Sequence, residues 1–573
     1  MKLPESPASL AGARWDDILP YYEALAAAPL DRERLVPWLR DWSRLEELLS
    51  EAVSLAMIAY TCDTAHPEKE RAHLRFASEI LPLAEEQSVK LARRLVELGA
   101  VPEGMECSLQ RFRASIEIFR EANVPLFAEL EELAARYQRI TGSMVAEWDG
   151  ELVPLPRLTP YLQATDRAVR ERAYRGTVGP YVEARSALAE LFDGMYERRQ
   201  AVARNANFGD YHAFSFIAKH RFDYTPGDCA RFHDAVESVV VPAYTRALAA
   251  RRERLGVDSL RPWDLSVNPY RSEPLRPFRT GTELAQGAER MLMRLDPVLG
   301  GQFRTMREEG LLDLDSRRGK APGGYCDTLH VRGRPFIFMN ASGVLEDVMT
   351  LLHEAGHVFH AFAAHQQPYV WQRHPGAEAA ELASMSMELL AGPELGPPAG
   401  MLNERDAAIA QLEHLEDLLG SLPHIASIDA FQTWLYTSGE GHDAAARDAA
   451  WLRIRGRFEQ GIDWSGLPAE RTTRWYRQLH VFLYPFYYIE YGIAQLGAVQ
   501  VWRNVRQSGP AALEAYRRFL ALGATRSLPE LFREAGAALI FDPVGMRPLI
   551  DLVEEEMDRL RERLGSPGAG APG

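Results

Sequence analysis

Apolar residues recur at spacings of three and four along much of the chain, which is the pattern of amphipathic α-helices. The pattern predicts long helices over Val36–Tyr60, Glu68–Leu98 and Leu109–Ile140. An Asp-Gly pair between strand-like flanks predicts a β-hairpin near residues 144–155. We therefore expect a mainly α-helical protein with few strands.

Two apolar runs call for a separate interpretation. Phe336–Met339 is short and strand-like, and we expect an edge strand there that pairs with an extended peptide. His480–Trp502 is long enough to suggest a membrane span, but it contains Pro485, Glu490 and several tyrosines, which are costly in a bilayer. We predict a buried helix with Tyr484, Tyr488 and Tyr491 on one face, at i, i+4 and i+7.

Composition narrows the class of protein. The chain has 573 residues, 46% of them hydrophobic, which is enough for a large core and two or more domains. Its formal net charge of −15 argues against a nucleic-acid partner. Four scattered cysteines without a C-x-x-C pair, and an N-terminus without a signal-peptide pattern, predict a cytoplasmic protein with reduced thiols and no membrane association.

The most informative motif is His353-Glu354-Ala355-Gly356-His357, an H-E-x-x-H signature after an apolar run. On a helix, His353 and His357 lie on one face and can bind one divalent ion together. Glu354 is positioned to take the proton of an attacking water. This is the arrangement of a zinc hydrolase, although the same spacing also occurs by chance in ordinary amphipathic helices.

A catalytic zinc site needs a third protein ligand. The metzincin pattern requires Gly and His where this chain has His360 and Ala363, so that class is excluded. The alternative is a Glu on a following helix. Glu381 lies 28 positions after His353 (381 − 353), and Glu378, one turn earlier, competes for the role.

On these residues the chain resembles the thimet oligopeptidase and oligoendopeptidase F family of zinc peptidases, peptidase family M3, and is most similar to its bacterial oligoendopeptidase F branch. That family reads H-E-x-G-H-x-x-H, followed by Glu-x-x-Ser and a further Glu. The positions that match this pattern are His353, Glu354, His357, His360, Glu381, Ser384 and Glu388. The resemblance covers most of the chain from about Trp148 onward.

The resemblance implies a role for each residue. His353, His357 and Glu381 would bind one zinc ion per chain, with Glu354 as the general base. Glu388 would orient a ligand, and His360 would line the substrate site or be structural. His480 and Tyr488 would donate hydrogen bonds to the oxyanion, with Tyr484 and Tyr491 lining the site. Cobalt and manganese also suit these ligands, and zinc is the default.

The implied architecture is an elongated, mainly α-helical, zincin-type metallopeptidase with a small β element at the active site and a deep substrate channel between two domains. We expect an N-terminal helical domain over residues 1–195, a catalytic domain over 196–565 and a disordered tail over 566–573. The implied function is zinc-dependent hydrolysis of internal bonds in short unstructured peptides. Alternatives are a carboxypeptidase or dipeptidyl carboxypeptidase on a similar zinc site, or a non-catalytic peptide-binding relative.

Overall fold

The computed structural model describes residues 3–273 and 275–565, so the tail predicted to be disordered at 566–573 lies outside the described residues. The described chain is mainly α-helical, which confirms the predicted fold class. In the first half the helices are α1 Trp15–Ala27, α2 Leu35–Cys62, α3 Pro67–Leu74, α4 Leu81–Leu98, α5 Glu106–Ile118, α6 Val124–Gly142, α7 Thr159–Leu162, α8 Arg167–Glu183, α9 Arg185–Asn205, α10 Tyr211–Ala218, α11 Pro226–Ala235 and α12 Val241–Leu255. In the second half they are α13 Gly281–Leu295, α14 Pro297–Glu308, α15 Leu345–Ala364, α16 Ala377–Ala391, α17 Glu404–Thr437, α18 Ala444–Phe458, α19 Pro468–Thr473, α20 Leu479–Leu483, α21 Tyr488–Ser508, α22 Pro510–Leu522, α23 Leu528–Glu534 and α24 Pro543–Gly565.

Five strands form two small sheets. The predicted hairpin is confirmed: β1 (Val145–Trp148) pairs antiparallel with β2 (Glu151–Pro154) around Asp149 and Gly150, which both have positive φ. The second sheet contains β3 (Leu312–Asp315), β4 (Tyr325–Leu329) and β5 (Arg334–Ala341) in the order β3-β5-β4.

The prediction that Phe336–Met339 forms an edge strand is wrong. These residues lie in β5, which is the central strand, parallel to β3 and antiparallel to β4. Their nearly continuous apolar character fits a strand buried on both faces. Among the described strands, β4 lies at one edge of this sheet and therefore has one side without a strand partner.

The chain divides into two compact units, each assembled from three stretches. Unit 1 contains the residues up to Glu117, Leu275–Ala407 and Gly497–Leu539, and unit 2 contains Ile118–Pro274, Ala408–Leu496 and the residues from Ile540 onward. This division differs from the two continuous segments 1–195 and 196–565 expected from the sequence. That these two segments act as an N-terminal domain and a catalytic domain remains a prediction.

Each unit has its own aromatic core. In unit 1, Trp42 of α2 is fully buried and contacts Trp371 with ring centroids 4.4 Å apart. In unit 2, Trp475 is fully buried between Phe192 and Phe431, at 5.2 and 5.3 Å. Large aromatic side chains contribute much of the apolar area that folding removes from water. Within the described residues, none of the helices combines the length and the apolar character needed to cross a membrane.

Candidate metal centre

The helix that carries the H-E-x-x-H signature, α15, is fixed at its start by Asp347. The Asp347 Oδ2 accepts hydrogen bonds from the backbone N–H groups of Ser342, Gly343 and Val344 at 2.8, 2.9 and 2.9 Å. A carboxylate at this position satisfies N–H groups that have no partner inside the helix and interacts favourably with the helix dipole. Asp347 therefore stabilises the start of α15.

Gly356 lets α15 approach α16 closely. A Cβ atom at this position would lie 2.4 Å from the Ser384 Cα and 2.6 Å from the Ala383 carbonyl oxygen. Only a residue without a side chain fits there, and the Ala383 carbonyl oxygen also accepts a 2.8 Å hydrogen bond from the Tyr516 hydroxyl. The glycine in the signature thus allows α15 and α16 to pack this closely.

We expect Gly356→Ala to lower the free energy of unfolding by about 1–3 kcal/mol, because the added methyl group must push the α16 backbone away. This loss exceeds the gain of about 1 kcal/mol in helix propensity. Gly301→Ala in α14 is the matched control, since a Cβ there meets nothing within 4 Å and only the gain applies. Chemical denaturation of both variants measures the difference, and a Gly356→Ala protein as stable as the control would contradict the packing argument.

Two helices bring three ligand groups together in unit 1. His353 and His357 come from α15 and Glu381 from α16. The Nε2 atoms of His353 and His357 lie 3.3 and 3.9 Å from the Glu381 Oε2 atom. Among the described residues, these three are the one group of His, Cys, Asp or Glu side chains whose ligand atoms all lie within 4.8 Å of one another.

This donor set fits zinc. Two imidazoles and one carboxylate are a common catalytic zinc set, with one position left for water or substrate. Zinc–ligand bonds of about 2.1 Å in a tetrahedron place ligand atoms roughly 3.4 Å apart. The observed 3.3 and 3.9 Å separations are close to that value.

The three candidate ligand residues are electrostatically coupled. Burial raises the pKa of Glu381, but the hydrogen bond with His353, the charges of His357 and His353 and a hydrogen bond from Ser384 lower it to about 2. The Ser384 Oγ donates to the Glu381 Oε2 at 2.9 Å. Burial lowers the pKa of His353, yet its bonds to Glu381 and Glu388 raise it well above the ordinary value. A divalent ion would replace the proton that the two carboxylates favour on His353.

Glu354 lies beside this group and is itself buried. Burial raises the pKa of its carboxyl group to about 7, and the negative charges of Glu381 and Glu388 add to the rise. A cation bound next to Glu354 favours its ionised form, which is the form that accepts a proton. A buried carboxyl group with a pKa of about 7 can both release and accept a proton near neutral pH.

Glu388 orients the first histidine. Its Oε1 atom lies 2.7 Å from the Nδ1 atom of His353, which leaves Nε2 directed at Glu381. A carboxylate behind a ligating histidine fixes the tautomer and the ring orientation.

We expect Glu388→Gln to weaken zinc binding by about 10–100-fold while the purified protein keeps its fold, because only the orientation of His353 is relaxed. Titration of the zinc-free protein against a competing chelator measures the change. Glu394→Gln is the matched control, since Glu394 lies just after α16 and pairs with Arg294. Equal zinc affinity in Glu388→Gln and the control would show that the 2.7 Å contact has no part in metal binding.

His360 extends the same helix face but stands outside the ligand group. Its ring is buried against Phe519 at 5.4 Å, and burial lowers its pKa to about 3. Neither of its ring nitrogens has a hydrogen-bond partner among the described residues. It lines a cavity of about 110 Å³ in unit 1 together with other polar side chains: His330, His357, His365, Arg373 and His374.

The second predicted group, around His480, lies in unit 2. The ring centroids of Tyr484, Tyr488 and Tyr491 are 6.0, 4.9 and 6.2 Å from that of His480. The Tyr488 hydroxyl donates to Gln478 Oε1 at 2.9 Å, and burial raises the pKa of Tyr488 to about 12. The four predicted side chains therefore cluster within this unit.

The prediction that the three tyrosines share one helix face is wrong. α20 ends at Leu483 and α21 begins at Tyr488, with a turn between them. Pro485 disfavours helical geometry at the residue before it, and Phe486 has a φ of +64°. The backbone of Phe486 is held by Arg221, which hydrogen-bonds its carbonyl, and by Gln432, which accepts from its N–H at 2.8 Å.

Two residues of this cluster were missed in the sequence. The Tyr487 ring lies 5.8 Å from His480 and 5.0 Å from Tyr491, and Gln478 bonds the Tyr488 hydroxyl. Tyr487 was missed because a continuous helix would place it on a different face from Tyr484, Tyr488 and Tyr491. The Pro485 signal for a helix break could have revealed it.

Comparison with known proteins gives consistent matches. The family model of peptidase family M3 matches residues 160–542, more than half of the chain. Oligopeptidase PepF of Bacillus subtilis is 21% identical over 428 residues, which cover 70% of this chain and 59% of that protein. The oligoendopeptidase F homolog of Borreliella burgdorferi is 21% identical over 436 residues, which cover 72% of this chain and 70% of that protein. The chain thus aligns with about three-fifths of the length of the Bacillus relative.

The solved structures agree over almost the whole chain. PZ peptidase A, solved with an inhibitor, has a TM-score of 0.86 at 26% identity and covers 98% of both chains. Oligoendopeptidase F from Enterococcus faecium has a TM-score of 0.64 at 15% identity, with 96% of this chain and 97% of that chain covered, which shows a shared fold. With the family match over residues 160–542, these findings establish that the chain belongs to peptidase family M3.

Proposed function

We propose that the protein is a zinc-dependent oligoendopeptidase of the cytoplasm that hydrolyses internal bonds of short, unstructured peptides. The observation that carries the proposal is the convergence of His353, His357 and Glu381 beside the buried carboxyl group of Glu354. The names of the relatives, oligopeptidase and oligoendopeptidase F, support the same substrate class and do not favour a carboxypeptidase. The four cysteines form no disulfide, which suits a reducing compartment.

The mechanism follows from the side chains. His353, His357 and Glu381 would hold a zinc ion, which when bound would supply Lewis acidity and make water a stronger acid. Glu354 accepts the proton of the attacking water and then passes it to the leaving amine. His480 and Tyr488 donate hydrogen bonds to the developing oxyanion. Preorganised donors of this kind stabilise the oxyanion in other hydrolases.

Supporting contacts fit these roles. The Tyr488 hydroxyl donates a hydrogen bond to Gln478, and this half-buried phenol, with its raised pKa, stays protonated and can donate. On one side the edge strand β4 has no strand partner among the described strands, and its backbone groups there can pair with an extended peptide.

We expect Tyr488→Phe to lower kcat by roughly 10²-fold with little change in zinc content, since loss of one oxyanion donor costs about 10²–10³ in kcat. Tyr484→Phe is the matched control, because Tyr484 is 57% exposed and lies in the turn before α21. Steady-state kinetics on one fluorogenic peptide compares the two variants. Equal kcat in Tyr488→Phe and wild type would remove Tyr488 from the oxyanion role.

Mass-spectrometric mapping of cuts in end-blocked peptides of graded length, with and without phenanthroline, tests the proposed function. We expect internal cuts in short peptides that disappear with the chelator and return when zinc is added. Cleavage confined to peptides with a free C-terminus would favour a carboxypeptidase instead. The absence of any chelator-sensitive cleavage would refute the peptidase proposal.

A further inference from the structure

A second cavity, of about 480 Å³, lies within unit 2 among α12, α17, α18 and the segment 474–478. Apolar side chains form part of its wall, including Tyr244, Leu265 and Phe458. The charged or ionisable side chains that line it are Asp417, His424, Arg455, Glu459, Arg474 and Arg477. The proposed function gives this cavity no role.

One carboxylate in this wall, that of Glu459, interacts with three guanidinium groups. The Glu459 side chain is only 1% exposed. Its Oε1 atom accepts hydrogen bonds from Arg455 at 3.1 Å and from Arg474, and its Oε2 atom forms an ion pair with Arg471 at 3.4 Å. Asp417, the other acidic residue of the lining, is exposed to solvent. The buried part of the cavity therefore carries an excess of positive charge.

Arg477 adds to this excess. It lines the cavity, and among the described residues its guanidinium group makes neither a hydrogen bond nor an ion pair. Its near neighbour is the ring of Tyr181, 5.4 Å from the guanidinium carbon. Arg477 is half-buried, and a partly desolvated cation without a counter-charge is stabilised when a ligand supplies one.

The cavity wall continues into the His480–Tyr488 cluster. The Arg455 Nη1 atom lies 3.3 Å from the Nδ1 atom of His424, whose ring packs edge-on against Tyr488 at 5.5 Å. Gln478 lines the cavity and accepts the hydrogen bond of the Tyr488 hydroxyl. A ligand in the cavity would thus lie next to residues that hold the proposed oxyanion donor.

We propose that this cavity is a substrate subsite that binds a carboxylate of the peptide, with Arg477 as its principal partner. The inference rests on the proposed peptidase function and adds a charge preference to it. Guanidinium groups pair with carboxylates through two parallel hydrogen bonds, and the apolar wall can pack the methylene groups of a glutamate. The carboxylate comes either from an acidic side chain or from the C-terminus of the peptide.

Paired peptides distinguish the two sources. An end-blocked fluorogenic peptide is scanned with Glu against Gln at each position, and each parent peptide is compared as free acid and as amide. We expect wild type to prefer the carboxylate at one position, or at the terminus, by at least about tenfold in kcat/KM. Arg477→Met should remove this preference and leave kcat/KM for the neutral peptide within about twofold.

The control variant is Arg246→Met, which removes an exposed guanidinium group paired with Glu554 in the same unit. It should retain the full preference. Arg477→Met should also melt at or above the wild-type temperature, because an uncompensated charge is removed. If Arg477→Met lowers kcat/KM equally for the carboxylate and neutral peptides, or if wild type has no preference, the subsite proposal is overturned.

A binding measurement separates this inference from the proposed function. N-acetylglutamate amide and N-acetylglutamine amide are titrated into the wild-type protein and followed by the shift in melting temperature. Stabilisation by the glutamate compound alone, lost in Arg477→Met, would support the carboxylate site even if no peptide is cleaved. The opposite outcome is that both compounds shift the melting temperature equally and the protein cleaves peptides without a charge preference. That outcome would refute the carboxylate site and leave the peptidase function intact.

Discussion

Glu354→Gln is expected to abolish peptide hydrolysis while zinc remains bound. Glutamine has the shape of glutamate but cannot accept a proton, and loss of a general base costs about 10²–10⁴-fold in rate. Glu354 is not among the three residues whose ligand atoms converge, so the metal should be retained. Cleavage of an end-blocked peptide, with metal content measured on the same preparation, gives both quantities.

Glu346→Gln provides the matched control, because Glu346 lies in the first turn of the same helix and is exposed. Its activity and zinc content should equal those of wild type. If Glu354→Gln retains more than a few per cent of wild-type activity with zinc bound, Glu354 is not the base. If instead zinc is lost, Glu354 takes part in binding the metal.

The helices could be predicted from local pattern because each obtains much of its stability from one apolar face. Val36–Tyr60 is confirmed as α2, which runs from Leu35 to Cys62. The tract Glu68–Leu98 is helical almost throughout, but it divides into α3, a π-helical segment at Arg75–Ile80 and α4. Leu109–Ile140 is interrupted between α5 and α6, where Pro125 opens the second helix. Such interruptions follow from single prolines and from local packing. Hydrophobic periodicity alone does not detect them.

The candidate ligand residues could be selected from the sequence because the proposed chemistry restricts their spacing. Two histidines on one helix can share an ion only at a spacing such as three or four, and His353 and His357 are four residues apart. The long-range features had no comparable signal. The central place of β5 depends on a parallel partner, β3, and an antiparallel one, β4, and the two compact units each join three distant stretches.

The excess of guanidinium groups around Glu459 shows the same limit. Arg455 and Glu459 lie four residues apart, but Arg471 and Arg474 come from other local elements, and their contact with the same carboxylate becomes visible only when the chain is folded. Arg477 differs from them because it makes no ion pair among the described residues. This property follows from its surroundings in the folded protein and not from its neighbours in the sequence. Sequence patterns describe relations between positions that are close along the chain. They do not show that a charged side chain lacks an opposite charge nearby in the folded protein.

Glu381→Ala is expected to remove zinc from the protein. The carboxylate is the one acidic member of the ligand group, and both histidines direct their Nε2 atoms at its Oε2. Loss of a ligand should weaken zinc binding by more than the roughly 10–100-fold caused by loss of a residue behind the ligands. Activity should therefore be absent at zinc concentrations that restore the wild-type zinc-free protein, as measured by titration with zinc under a chelator buffer.

Glu378→Ala is the decisive comparison, because Glu378 lies one turn earlier on α16 and is as deeply buried as Glu381, at 5% exposure each. The two variants remove the same group from the same helix and from equally buried positions, so a general cost of truncation affects both. We expect Glu378→Ala to keep its zinc, since only Glu381 faces His353 and His357 and is itself held by Ser384 at 2.9 Å. Zinc loss in Glu378→Ala with zinc retained in Glu381→Ala would reverse the assignment. Loss in both would mean that the packing of α16, and not one carboxylate, controls metal binding.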